Sequence, residues 1–457
     1  MTTTTTTAAG LRPNASGYLA GNFAPVREQI TAFDLAVTGS IPDGLNGRLL
    51  RIGPNPVSDP DPHTYHWFTG NGMVHGVRIR DGKAEWYRNR YVADDTVTST
   101  LGEPITPGPR HGMGPGVANT NVIGHAGSTY AIVEAGGLPV ELTYDLDTIA
   151  MTDFGGTLPG SFTAHPKRDP GTGDLHAVVY YWEWDALQYV VVGADGTVTN
   201  TVDVPVPGKP MTHDCAITET QVLIFDQAVT FDLELAMAGR GLPYRWDPEY
   251  GCRVGLLPRT ATDGTTTRWC EVDLGYVYHP LNAYDLVDGR VVVDVAKHPR
   301  MFDRDPLGPN EGPATLWRWT IDPAAGRVRE EQLDDRGQEF PRHDERIIGR
   351  PHRYGYTAAF GDGVEHGPAY KHDFVAGTTH THDYGPGRAT LEPVFVPAHD
   401  DAAEDDGWIM SYVYDATTDR TDVVILHAQD FEADPVATIH LPTRVPFGFH
   451  GNWVPDR

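Results

Sequence analysis

Cysteine is scarce in this chain, with three residues in 457: Cys215, Cys252 and Cys270. So few, and an odd number, imply no disulfide framework, and a reducing, cytoplasmic setting is expected. Basic residues are also few, 35 Lys and Arg against 62 Asp and Glu, for a formal net charge of -27. A surface of that sign repels nucleic acid and anionic lipid, which argues against a DNA-, RNA- or polybasic-anchor role. No apolar run reaches the roughly 18 residues that a membrane-crossing helix needs. The stretch Met1–Gly10 is Thr-rich, with neither a basic region nor an apolar segment. It does not read as a secretory signal, and residues 1–15 are expected to be a disordered tail. Local signatures of chemistry are missing too. There is no HExxH, no paired CxxC, no EF-hand loop, no Walker A loop, no GxSxG elbow and no GxGxxG after a strand. These absences leave little support for a zincin, an α/β-hydrolase or a dinucleotide-binding enzyme.

What the chain does have is turn formers and aromatics: 50 Gly, 37 Pro, 20 Tyr, 15 Phe and 10 Trp. That combination favours an all-β fold. Short strand-like runs recur, among them Gly76–Arg80, Tyr130–Glu134, Ala177–Trp184, Tyr189–Gly193, Val291–Val295, Thr315–Ile321 and Trp408–Tyr414. Asp81-Gly82, Asp195-Gly196 and Asp288-Gly289 lie between such runs and predict tight hairpins. Strand–turn–strand units repeated through a long chain suggest a propeller, although no sequence repeat of fixed period accompanies them. The best short helix is Phe231–Gly239. The acidic stretch Asp400–Asp406 reads as a loop, and no linker divides the chain, so residues 16–457 are expected to form one domain.

The chain has 20 histidines, most of them expected to be structural. His380-Thr-His382 has metal-like spacing, but its Gly/Thr-rich setting reads as a loop. Four others adjoin strand-like runs or turns: His165 in TAHP, His213 in MTHD, His279 in YHPLNAY and His450 in FGFHG. They lie far apart in the chain. A propeller could gather them, because each blade sends a strand to the axis. Spacing alone does not single them out.

Further segments carry a resemblance. GLNGRLLRIGPNP (44–56), WFTGNGMVHG (67–76), YAIVEAGGLPVEL (130–142), TAHPKRDPGTGDL (163–175), MTHDCAIT (211–218), YHPLNAYD (278–285), QEFP (338–341), LEPVFVP (391–397) and PFGFHG (446–451) occur in that order. Together they resemble the carotenoid cleavage oxygenases, a family that includes stilbene- and phenylpropenoid-cleaving members. The resemblance implies a seven-bladed β-propeller with iron(II) on its axis and loops and short helices capping one face. It implies His165, His213, His279 and His450 as iron ligands, with Glu134, Glu339 and Glu392 behind them. The implied reaction is O2-dependent cleavage of a conjugated double bond in a carotenoid or apocarotenoid, giving two carbonyl products. Two departures stand out: Asn71 where the family usually has Asp, and Asp285 where many members have Glu.

These residue types suit that chemistry. Neutral imidazoles bind iron(II), and each ligand ring needs its other nitrogen oriented, which a carboxylate can do. Glu134 and Glu392 sit in apolar runs, where an unpaired carboxylate would be costly. Trp67, Phe68, Trp182, Trp184, Phe447 and Phe449 are candidates for an apolar tunnel wall or for core. Cleavage of a stilbene or phenylpropenoid is the alternative within the family. Stilbene-cleaving members typically carry Lys before the first of these glutamates, where this chain has Val133. A binding-platform propeller without catalysis and a calcium-dependent propeller hydrolase are the readings from other classes. The expected partner is a hydrophobic conjugated small molecule, with no nucleic acid and no obligate protein partner. Contact with a membrane is expected to be weak and peripheral at most, because Asp232, Glu234 and Asp247 dilute the apolar segment Phe231–Leu257.

Overall fold

The computed structural model describes residues 17–456 apart from 113, 310 and 362–365, and the tail expected over residues 1–15 lies outside them. The strands form seven antiparallel sheets of four to six strands, plus a small ribbon pairing Val229–Phe231 with Tyr244–Trp246. The sheets are the blades of a seven-bladed β-propeller. Its ring closes at two places. The last strand, Gly451–Pro455, pairs with Gly47–Pro54 and so completes the first blade. The early strand Val37–Gly39 pairs with Ala437–His440 and forms the outer edge of the seventh. Closure in a ring leaves only short, protected edges.

The sequence pattern tracks position within a blade. Val291–His298 is a middle strand, flanked by Tyr276–Asp285 and Thr315–Asp322, and every residue in it is buried. Its side chains are covered on both faces, and its apolar start Val291–Val293 gives way to charged groups that are paired, Asp294 with Arg318 and Lys297 with Glu330. Val198–Pro205 is an outer strand, and most of its outward positions are exposed in alternation. The three Asp-Gly pairs do join neighbouring antiparallel strands. At Asp81-Gly82 both residues have positive φ, 49° and 69°, as a type I′ hairpin requires.

Two expectations need correction. His380-Thr-His382 lies in the strand Thr378–His382 and not in a loop. There the His382 ring bonds the Phe431 carbonyl, and His380 faces Glu432. The run Ala177–Trp184 is strand only through Val179, because the chain turns at Tyr181–Trp184. The short helix is present as Leu233–Met237, capped by the Asp232 carboxylate on the Leu235 N–H.

Candidate metal centre

The innermost strands supply the axial residues. His165 lies two positions before Lys167–Arg168, His213 two before Cys215–Ile217, and His450 directly before Gly451–Pro455. His279 lies inside Tyr276–Asp285, where the register slips on either side of Pro280. Proline has no N–H for the ladder, and the resulting irregularity turns His279 toward the axis. His450 is pinned across blades: its N–H donates to Thr120 and its carbonyl accepts from Ile52. Just before it, a Cβ on Gly448 would lie 2.7 Å from the Gly53 Cα, so only glycine fits that crossing.

The four histidines converge. One ring nitrogen from each lies within 4.8 Å of the others. Ring centroids are 4.4 Å apart for His165–His213, 4.5 Å for His165–His450 and 4.7 Å for His279–His450. Three rings turn their outer nitrogen to a glutamate. His213 Nδ1 donates to Glu134 at 2.8 Å, His279 Nδ1 to Glu339 at 2.7 Å, and His450 Nδ1 to Glu392 at 2.9 Å. The glutamates come from three further blades, so all seven contribute to the axis.

The arrangement fits a cation. With Nδ1–H of His213 and His279 donated outward, their Nε2 atoms carry lone pairs, and these face each other at 3.2 Å. Two lone pairs at that distance repel unless a positive centre sits between them. His165 Nε2 is buried and has no hydrogen-bond partner. A divalent cation at the focus would use all of these atoms.

The titration behaviour agrees. Burial and the neighbouring histidines hold His165 well below the usual imidazole range. Burial outweighs Glu392 at His450, which drops to about 4 and so stays neutral. At His279 burial works against charge, but Glu339 prevails and the value is raised. A cation on Nε2 would take the place of that proton. Glu339 and Glu392 keep their charge despite burial. His279 and His298 hold the first well below the carboxylate range, and Arg342 with His450 the second. Because His450 is neutral, Arg342 at 3.2 Å is the counter-charge that Glu392 relies on.

Two cavities meet at this ring. One, of about 430 Å³, is mostly apolar, and Trp67, Phe68, Trp182, Phe449 and Val133 are among its walls. Trp184 and Phe447 are not: Trp184 packs on His111 and Tyr181, and Phe447 on Phe23. The other, of about 810 Å³, runs along the axis and mixes apolar walls with polar groups, among them Asn121, Lys167, Asp214, Arg342 and Asn452. Phe340, His279 and His450 line both. Phe340 stacks on His279 at 5.6 Å and has φ 55°, a strained value for a side chain with a Cβ.

Sequence reading missed the residues behind the glutamates. His298 Nε2 shares Glu339 at 3.1 Å, and Arg342 braces Glu392. Asp214 sits 3.7 Å from His165 Nδ1. Only Asp214 lay inside a segment of the resemblance, MTHDCAIT. The two departures serve packing: Asn71 bonds Asp94, and Asp285 caps Thr220.

A seven-bladed propeller with four histidines gathered at its axis, three backed by glutamates, defines a class of protein, and known relatives name it. Residues 23–455 match the retinal pigment epithelial membrane protein (RPE65) family. A carotenoid cleavage oxygenase of Mycobacterium tuberculosis is 46% identical over 96% of this chain and 97% of its own. An isoeugenol monooxygenase of Pseudomonas nitroreducens is 32% identical, over 96% and 98%. The crystal structure of Pseudomonas brassicacearum lignostilbene dioxygenase superimposes with a TM-score of 0.87 at 29% identity, covering 96% of this chain and 98% of that one. The chain belongs to the RPE65/carotenoid cleavage oxygenase family and is an oxygenase.

Proposed function

We propose that the chain is a non-haem iron(II) dioxygenase that cleaves a conjugated double bond of a carotenoid or apocarotenoid with O2 to give two carbonyl products. His165, His213, His279 and His450 hold the iron, and Glu134, Glu339 and Glu392 orient three of the rings. The observation that carries this reading is the convergence of four imidazole nitrogens within 4.8 Å at the inner end of an apolar cavity. Four imidazoles suit several first-row metals, and family membership favours iron. Bound there, iron supplies the spin and redox chemistry that O2 and an alkene lack by themselves.

The protein's own share is placement and exclusion. Aromatic walls hold a flat conjugated chain by stacking and keep bulk water from the reacting bond. Fixing that bond beside the ring turns an encounter into a positioned reaction. The electrons balance without a co-substrate: the C=C and O=O bonds break, and two C=O bonds form. NAD(P)H, flavin and 2-oxoglutarate are therefore not required.

Cleavage of a stilbene or phenylpropenoid is the second reading, favoured by the isoeugenol and lignostilbene relatives. Against it stands Val133, an apolar wall residue at the position next to Glu134 where a phenol-binding lysine would be expected. We place the enzyme in the cytoplasm, in keeping with three buried, free thiols. No helix among the described residues is long and apolar enough to cross a membrane. Iron-loaded protein should be offered carotenoids, apocarotenoids, stilbenes and vinylphenols, with products identified by mass. Cleavage of an apocarotenoid or carotenoid is expected. Turnover of phenolic alkenes alone supports the second reading, and no turnover of any conjugated alkene returns the chain to a binding platform.

A further inference from the structure

Three ring histidines lean on a glutamate, and His165 does not. It lines the larger axial cavity, together with Asp214 and Lys167. The nearest carboxylate to its Nδ1 is Asp214, at 3.7 Å. That distance is too long for a direct hydrogen bond but close enough for the carboxylate's field to act on the ring N–H. The Asp214 side chain is only 2% exposed. Its Oδ1 accepts the Cys215 N–H at 2.5 Å, and its Oδ2 accepts Lys167 Nζ at 2.8 Å. Asp214 is next in the chain after the ring residue His213, and Lys167 lies two positions after His165. The two neighbouring blades therefore exchange charged groups directly beside their histidines.

We infer that Asp214 is the positioning residue for His165, and that Lys167 tempers it by neutralising part of the carboxylate's charge. The inference rests on the reading of the ring as a metal centre. A carboxylate behind a ligand imidazole raises its basicity and fixes its orientation. An ammonium on the same carboxylate oxygen works against the first effect. His165 is therefore the least electron-rich of the four rings, and Asp214 and Lys167 act on metal retention with opposite signs.

The opposite signs separate this inference from a bland alternative. A buried ion pair could simply tie two blades together, and removing either partner would then strand a charge and loosen the centre alike. If the inference holds, Asp214→Asn releases metal faster. Lys167→Met leaves the carboxylate unpaired, which destabilises the metal-free chain more than the metal-bound one, and release slows.

The test uses the full chain loaded with ferrous iron. Iron transfer to an excess of a ferrous chelator is timed, and the thermal midpoint of the iron-free chain is measured in parallel. Asp214→Asn is expected to release iron about 10-fold faster than wild type. Lys167→Met is expected to release it more slowly, although its iron-free form melts lower. Lys167→Met/Asp214→Asn strands no charge and is expected to match Asp214→Asn, so the inference stays testable if the single Asn variant fails to fold. Equal acceleration in both single variants overturns it in favour of a structural clamp. Wild-type retention in Asp214→Asn, or in the double variant, overturns it as well. A wild-type chain that takes up no iron overturns the metal reading and this inference with it.

Discussion

Glu392→Gln keeps the size of the side chain and removes its charge, and the geometry around it sets the cost. One carboxylate oxygen, Oε1, accepts from His450 Nδ1 at 2.9 Å and lies 3.2 Å from Arg342 Nη1, while Oε2 accepts the Gly451 N–H at 2.8 Å. All of these partners are donors. A glutamine has one acceptor oxygen and one donor amide, so either rotamer sets NH2 against a donor. If the oxygen stays toward His450, the Gly451 N–H loses its acceptor. If it turns, His450 does. A buried donor left unpaired costs about 1–3 kcal/mol. Loss of the partner behind a metal-ligating imidazole typically costs about 10–100-fold in metal affinity or activity. The expected result is a lower melting temperature for the iron-free chain and iron affinity weaker by one to two powers of ten. Chelator competition measures the second and thermal melts the first. Wild-type iron affinity in Glu392→Gln would refute the role assigned to this carboxylate.

Other perturbations have equally definite outcomes. His279→Ala should abolish cleavage and lower iron content while the circular dichroism of the propeller persists; full activity in that variant removes His279 from the metal centre. Gly448→Ala drives a methyl toward Gly53 and should destabilise the chain by about 1–3 kcal/mol, as overpacking does; an unchanged denaturation midpoint contradicts the close crossing. Burial lowers His66 and His75 to about 3, and His176 and His372 to about 4, from an ordinary 6.5. The unfolded chain therefore binds protons below pH 6.5 that the folded chain refuses, so their contribution is complete above pH 6.5 and is lost as pH falls through about 4 toward about 3. Thermal melts should drop steadily over that window, and a flat or rising profile rejects the buried neutral assignment.

The blade architecture was legible because outer and middle strands obey different burial rules. The run Val291–Val295 marks a middle strand and the Asp-Gly pairs mark their hairpins, while the outer strand Val198–Pro205 shows its alternation in the structure. The inner strands were far less legible. Lys167–Arg168 and Cys215–Ile217 are two and three residues long, too short for any periodicity to mark them. The four histidines stand out only through the segments shared with a family, because their meeting depends on how seven blades close. Glu134, Glu339 and Glu392 came with the same segments. Arg342 and His298 did not, since each reaches its glutamate through a side-chain contact that no local pattern encodes. The Thr378–His382 strand was misread because an outer strand tolerates the Gly/Thr-rich surroundings that suggest a loop.

The central claim is that this ring drives cleavage of an alkene by O2 alone. The most direct measurement supplies 18O2 to anaerobically iron-loaded protein with an apocarotenoid, with no reductant beyond that which keeps the iron ferrous. Mass analysis of rapidly trapped products then counts the label. The account predicts one labelled oxygen in each of the two carbonyl fragments, at a rate unaffected by NADH or 2-oxoglutarate. Label in only one fragment, or a stoichiometric need for either co-substrate, contradicts it.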